Sequence, residues 1–122
     1  MLFFPNAKIN IGLNITSKRA DGYHNLESIF YPIDWRDILE IIPSKQLSFE
    51  STGRSISGQG NLCLKAYELM KSHYDIAPVS IHLHKNIPIG AGLGGGSSDA
   101  AFTLMALNTI SVSYTHLRAH ET

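Results

Sequence analysis

A single cysteine, Cys63, has nothing to pair with inside the chain, so an internal disulfide framework is excluded and a reducing compartment suits it. Excess charge is missing too. Ten lysine and arginine residues balance ten aspartate and glutamate residues, which argues against the basic footprint of a nucleic-acid binder. No window approaches the ~20 apolar residues of a membrane-spanning helix. The apolar start, residues 1–5, is too short for a secretory signal and lacks its basic lead. No internal repeat is visible. These absences predict a cytoplasmic globular chain with neither nucleic acid nor membrane as partner. At 122 residues, 43% hydrophobic and 16% charged, it is one domain or part of one.

Glycine, by contrast, is concentrated. Residues 88–101 read Pro-Ile-Gly-Ala-Gly-Leu-Gly-Gly-Gly-Ser-Ser-Asp-Ala-Ala, and the glycines run straight into a small-residue, helix-compatible segment. Without a Cβ, backbone N–H groups can turn toward a ligand at dihedral angles other residues avoid. A helix beginning there adds unpaired first-turn N–H groups and a partial positive charge. Together these predict an anion pocket of phosphate size. A flexible linker is the competing reading, but linkers do not continue into an apolar-patterned helix.

Along the chain, residues 7–15 alternate strictly. Ala7, Ile9, Ile11, Leu13 and Ile15 share one face, with Lys8, Asn10, Gly12 and Asn14 on the other, as in a half-buried strand. Residues 16–25 read as a loop around Asp21-Gly22. Residues 26–34 look extended, and 37–42 and 46–51 read as two strands of a hairpin joined across 43–45. Residues 52–60 are a glycine- and Ser/Thr-rich loop. Residues 61–74 have helical spacing, with Leu62, Ala66 and Leu69 as the apolar row, Cys63, Tyr67, Met70 and Tyr74 beside it, and Asn61 as N-cap. Val79, Ile81 and Leu83 alternate with Ser80, His82 and His84 in another half-buried strand. The last helix has Ala100, Leu104 and Leu107, with Ala101 and Met105, as its expected apolar stripe. The sum is an α+β domain with a mostly antiparallel sheet.

Three glycine-rich phosphate motifs compete for residues 88–101. A P-loop requires Lys-Ser/Thr directly after its last glycine, whereas Ser97-Ser98 follows Gly96. The dinucleotide pattern G-x-G-x-x-G is formally present at Gly90, Gly92 and Gly95. It should follow directly on a strand and be answered by an acidic residue about 20 positions later; residues 86–88 intervene, and nothing acidic stands between Asp99 and Glu121.

The third pattern, Pro-x-x-x-Gly-Leu-Gly followed by Ser-Ser and small residues, resembles the phosphate loop of the GHMP kinases. The triple glycine ahead of Ser97-Ser98-Asp99-Ala100-Ala101 is similar to the 4-(cytidine 5′-diphospho)-2-C-methyl-D-erythritol kinases within that superfamily. Ala7-Lys8-Ile9-Asn10, the run from Lys18 through Asp21-Gly22-Tyr23-His24 to Leu26, Asp34-Trp35-Arg36-Asp37 and Asn61-Leu62 continue the resemblance in order.

The resemblance implies a GHMP kinase N-terminal domain, like the second domain of ribosomal protein S5, with helices on one side of the sheet. It also implies phosphorylation of the 2-hydroxyl of the cytidine-diphosphate substrate by ATP, with Mg²⁺ carried on the nucleotide, in the non-mevalonate route to isoprenoid precursors. Pro88, Ile89, Gly90, Ala91, Gly92, Leu93, Gly94, Gly95, Gly96, Ser97 and Ser98 would wrap the triphosphate, and Asn61 and Leu62 would meet the adenine. Tyr23 would stack on the substrate's cytosine and His24 read it by hydrogen bonds. Asn10 and Lys85 would contact the substrate, and Lys8 would be the active-site cation.

Each residue has a plainer role beside the implied one: Asn61 a helix cap, Tyr23 and His24 loop residues, Lys8 a solvated strand lysine. His82 and His84 share a face without a third ligand and read as surface histidines, not a metal site. Cys63 reads as a core residue.

The resemblance covers residues 5–110. Family members are longer, with an aspartate in a Gly-Ala-Asp-Val-Pro segment that this sequence lacks, so residues 1–110 are expected to be an incomplete ATP-binding domain. Residues 112–122 resemble a translated adapter used in preparing sequencing libraries, and 111–122 are expected to be an artefactual tail. This chain is therefore expected to be inactive as a kinase. The alternative is a nucleotide-binding remnant that transfers nothing.

Overall fold

The computed structural model describes the backbone of residues 1–18, 24–56 and 61–121, and side chains within 1–11, 29–56 and 61–112. In chain order the elements are β1 (Leu2–Phe3), β2 (Asn6–Lys18), β3 (His24–Arg36), β4 (Ile38–Pro43), β5 (Ser48–Gly53), α1 (Leu62–His73), β6 (Val79–Lys85) and α2 (Gly95–Glu121).

β2 and β3 form a long antiparallel ribbon of their own. Its register runs from Ala7 opposite Ile33 to Lys18 opposite His24, with irregularities at Asn6/Ala7, Asn10/Gly12 and Ile15/Ser17. The loop expected over residues 16–25 is therefore strand at residues 16–18 and 24–25, and its remaining residues, 19–23, lie outside the described residues. β-Branched Ile15 and Thr16 favour the extended backbone over a turn.

The second sheet has the order β1-β4-β6-β5. β4 is antiparallel to β6, whereas β5 is parallel to it. Both strands expected around residues 43–45 exist, but they are not a hairpin: β6 lies between them. β6 buries Val79, Ile81, Leu83 and Lys85 on alternate positions and fills the centre. β5, with only Phe49 partly buried, suits an edge.

Both helices cover one face of this sheet. Leu39 and Ile41 of β4, Val79, Ile81 and Leu83 of β6, Cys63 and Tyr67 of α1, Ile76, and Ala106 and Leu107 of α2 form one buried cluster. The side-chain carbonyl of Asn61 accepts a hydrogen bond from the N–H of Leu64 at 3.1 Å, which is the expected N-cap. The face of α1 that is buried centres on Cys63, Ala66 and Tyr67; Leu69, placed in the core by its spacing, is exposed.

The stripe of α2 also differs from the expected one. Asp99, Thr103, Ala106 and Leu107 are buried, while Ala101 and Met105 face out. Hydropathy placed the polar pair outside, but Thr103 Oγ1 donates to the Asp99 carbonyl at 2.8 Å and Asp99 has an ionic partner inside. α2 then continues to Glu121, since no glycine or proline follows Gly96 to stop it.

Candidate functional site

The glycine loop joins the end of β6 to the start of α2. Gly90, Gly92 and Gly94 hold φ of 73°, 74° and 69°, the left-handed region that side chains with a Cβ rarely enter. A Cβ at Gly90 or Gly92 would meet nothing within 4 Å, so these two are glycine for backbone direction. Gly95 is glycine for closeness: a Cβ there would lie 2.8 Å from Ile87 Cγ2 and 3.0 Å from Lys85 Nζ. α2 can start against β6 only because that atom is missing.

The loop walls a cavity of about 300 Å³, lined by residues 88–97 with Ile56, Asn61, Leu62, Cys63, Leu83, Lys85 and Asp99. The loop residues expected at the triphosphate thus line one cavity with Asn61 and Leu62 of α1. Ser98 is the exception: it does not line the cavity, and its N–H donates to the Gly94 carbonyl at 3.0 Å. First-turn N–H groups of a helix beginning at Gly95 lack intrahelical acceptors and lie at this wall.

Lys8 comes in from the ribbon. Its backbone N–H donates to the Leu93 carbonyl at 2.8 Å, tying β2 to the loop. Its aliphatic stem lies where a Gly94 Cβ would be, 2.8 Å from Cε, and its Nζ stands 4.4 Å from the centre of the Phe30 ring, within cation–π range. Asn10 follows at an exposed position two residues along the strand. Tyr23 lies outside the described residues. Of His24 only the backbone is described, paired with Lys18.

Lys85 is not free to extend toward a substrate. It is 3% exposed, and its Nζ donates to Asp37 Oδ2 at 2.6 Å and to Asp99 Oδ2 at 2.8 Å, with those carboxylates 0% and 3% exposed. The other oxygen of Asp37, Oδ1, accepts the N–H groups of Asn86 and Ile87, each at 2.8 Å. Asp99 Oδ1 is buried with no donor.

Burial pushes the Asp37 carboxyl up, but hydrogen bonds from Asp99, the Ile87 and Asn86 amides and Lys85 outweigh it and hold it below the usual carboxylate range. Burial and the neighbouring Asp37 push Asp99 up to about 7. Burial alone would lower Lys85; its two carboxylates hold it above the ordinary lysine value. Burial pushes the Cys63 thiol up to about 11.

Asp37 and Asp99 were quoted in the motifs but given no role. The signal available was their position: Asp99 at the start of a helix that is otherwise apolar, and Asp37 between two strands. On the opposite sheet face, the Thr52 hydroxyl lies 3.0 Å from His82 Nε2 and 2.8 Å from His84 Nδ1. Among the described residues no three of His, Cys, Asp and Glu converge as a metal cluster, and no helix is long and apolar enough to cross a membrane.

Residues 61–120 match the family described as GHMP kinases N terminal domain. A 4-diphosphocytidyl-2-C-methyl-D-erythritol kinase of Cytophaga hutchinsonii is 63% identical over 112 residues, covering 90% of this chain and 42% of that protein. The protein of the same name from Azobacteroides pseudotrichonymphae is 54% identical over the same length and shares. A crystal structure of 4-(cytidine 5′-diphospho)-2C-methyl-D-erythritol kinase superposes with a TM-score of 0.76 at 39% identity, covering 90% of this chain and 40% of that one. The chain therefore spans about two-fifths of the length of the curated relatives it matches, 42% for both relatives named here.

Proposed function

We propose that this chain is the nucleotide-binding part of a cytoplasmic 4-(cytidine 5′-diphospho)-2-C-methyl-D-erythritol kinase, which phosphorylates the substrate's 2-hydroxyl on the way to isoprenoid precursors; the match of residues 61–120 to the GHMP kinases N terminal domain and the likeness to a solved kinase support this. The observation that supports this most is the cavity between the left-handed glycines, the start of α2 and the Asn61–Leu62 corner. It pairs a glycine loop suited to an anion with the polar Asn61 and apolar Leu62 side chains, as a purine nucleotide requires.

The residues present fit ATP. Gly90 and Gly92, at left-handed φ on the cavity wall, would turn their amides toward phosphate oxygens, and the N-terminus of α2 adds positive potential. When bound, ATP with Mg²⁺ supplies the phosphoryl group, the metal entering on the triphosphate. Lys8, fixed to the loop through Leu93 and Gly94, would place a cation beside the reacting hydroxyl and neutralise developing charge. Asn10, on the same strand, would orient substrate, and Tyr23 and His24 would hold its cytosine. Asn61 and Leu62 would flank the adenine, with Asn61 keeping its capping bond.

The 122-residue chain is proposed to bind MgATP through the glycine loop and the Asn61–Leu62 corner that line one cavity. Residues 1–110 are proposed as an incomplete ATP-binding domain and 111–122 as a tail foreign to it, although the family match runs through residue 120; native codons across residue 110 in the source gene would refute this. Equilibrium titration with MgATP tests the central claim. Gly94→Val, at a left-handed φ and against the Lys8 stem, should weaken ATP binding at least ~10-fold, the effect of about 1.4 kcal/mol. Unchanged affinity would refute the cradle.

A further inference from the structure

We propose that Asp37, Lys85 and Asp99 together position the glycine loop, and that Asp99 stands in this cluster as a neutral acid, donating to Asp37, while the loop holds an anion. The proposal rests on reading the loop as a phosphate cradle.

Both feet of the loop end on the same three side chains. On the β6 side, Asp37 Oδ1 takes the N–H groups of Asn86 and Ile87, the two residues that lead into Pro88. On the α2 side, Asp99 is bound to Lys85 Nζ at 2.8 Å, and Gly95 lies against Ile87 and Lys85 with no room for a methyl group. Lys85 Nζ joins the two sides, since it also reaches Asp37 Oδ2 at 2.6 Å. A shift of any one of these groups moves a loop foot, and with it the amides between.

The proton follows from satisfaction and charge. With both carboxylates ionised, Asp99 Oδ1 is buried without a donor, an arrangement that proteins rarely tolerate. Both carboxylates meet at the same Lys85 Nζ, at 2.6 and 2.8 Å, so a proton taken from solvent onto Asp99 can be donated to Asp37 beside it and removes one of the two buried negative charges. The cluster then changes from a net −1 to neutral beneath a cradle built for anions.

The other ionisable groups nearby do not substitute. Cys63, facing from α1, stays a neutral thiol. Lys8, coming from β2, packs its stem on Gly94 on the ribbon side of the loop. Asp99 is pushed up to about 7, which places the exchange at neutral pH.

The test is carboxyl and amide NMR of the unaltered 122-residue chain across pH 4 to 9, with and without inorganic triphosphate as the probe. The Asp99 carboxyl should titrate near pH 7 while Asp37 stays ionised, and the amides of Asn86, Ile87 and residues 90–96 should follow the Asp99 midpoint. Triphosphate should raise that midpoint. One unit charge at roughly 10 Å and an effective dielectric near 20 corresponds to about tenfold in affinity. Asp99→Asn should therefore bind triphosphate about tenfold tighter than the unaltered chain at pH 8.5, and equally at pH 5.5, with no loop titration left.

An Asp99 midpoint in the ordinary carboxylate range, or loop amides that ignore it, would overturn the positioning claim without any ligand. A ratio of affinities that does not change with pH would overturn the neutral-acid claim and leave the cradle standing. Loop amides that follow Asp99 in a chain that binds no triphosphate would instead refute the phosphate reading and the proton's link to it, while supporting the positioning role.

Discussion

Replacing Lys85 with methionine keeps an unbranched stem and removes only the ammonium group. Two carboxylates, 0% and 3% exposed, then face each other with no cation between them. Removing one partner of a buried ion pair costs about 3–5 kcal/mol, because the remaining charge cannot return to water. Here two charges are stranded, so the upper half of that range applies at pH 8, against the 5–15 kcal/mol that holds an ordinary domain together. At pH 5.5 the loss should be smaller by about 1–2 kcal/mol, since Asp99, already pushed up to about 7, carries a proton there and one charge disappears. Urea unfolding followed by circular dichroism measures both values, provided the slope with denaturant is unchanged. Lys85→Met/Asp99→Asn should recover part of the loss at pH 8, the mark of two residues that interact directly. A loss below about 1 kcal/mol at pH 8, or one equal at the two pH values, would show that the three groups are not a charge cluster.

The unaltered chain should be most stable on the acid side of neutrality. An acid raised on folding, such as Asp99, contributes stability that is complete below about pH 4 and lost as pH rises through about 7; Asp37, held low, contributes stability that is lost on acidification. Unfolding midpoints across pH should thus fall between pH 5 and 8, and Asp99→Asn should flatten that slope. Gly53→Ala should cost more than about 2 kcal/mol, because Gly53 holds φ of +80° and a Cβ would sit 2.4 Å from the Lys85 carbonyl oxygen, a backbone atom that cannot swing aside. A thermal shift below a few degrees would refute this. Cys63, buried with its thiol pushed up to about 11, should react with a disulfide reagent only after urea unfolds the chain; stoichiometric labelling of the native form at pH 7 would refute its burial.

How much of this was legible in the sequence divides along physical lines. β6, with Val79, Ile81 and Leu83 alternating against Ser80, His82 and His84, was readable because one face is covered within the chain. α1 was readable from its spacing and its asparagine cap. The hairpin across residues 43–45 was not, because a short connection is compatible with local pairing and nothing nearby reveals that β6, more than thirty residues later, takes the place between β4 and β5. The ribbon shows a different limit. Ile9 and Ile11 alternate as core residues should, yet they are 40% and 60% exposed, and Ile29, Phe30 and Tyr31 of β3 are exposed as well. Alternation reports that a face is apolar; it does not report whether anything in the chain covers it.

The site divides in the same way, and the division explains which residues were missed. Glycine at left-handed positions and a serine pair before a helix are local requirements, so a loop shaped to expose its amides could be expected over residues 88–101 from composition and spacing, while the roles of single residues came only from the resemblance. Asp37, Lys85 and Asp99 are separated by up to sixty-two positions and meet only because β6 runs down the middle of the sheet and α2 starts on top of its last residue. Hydropathy counts each of them as a surface residue. For that reason it rotated the buried stripe of α2 away from Asp99 and Thr103; the family resemblance implied a substrate contact for Lys85 and did not reveal its two buried partners. Burying three charges is costly in itself, whereas the same three groups fix both feet of the loop at once. The buried charges thus carry the geometric demand of the loop, which the glycines alone cannot meet: glycine permits the left-handed turn, and the cluster beneath selects one conformation from those that glycine permits.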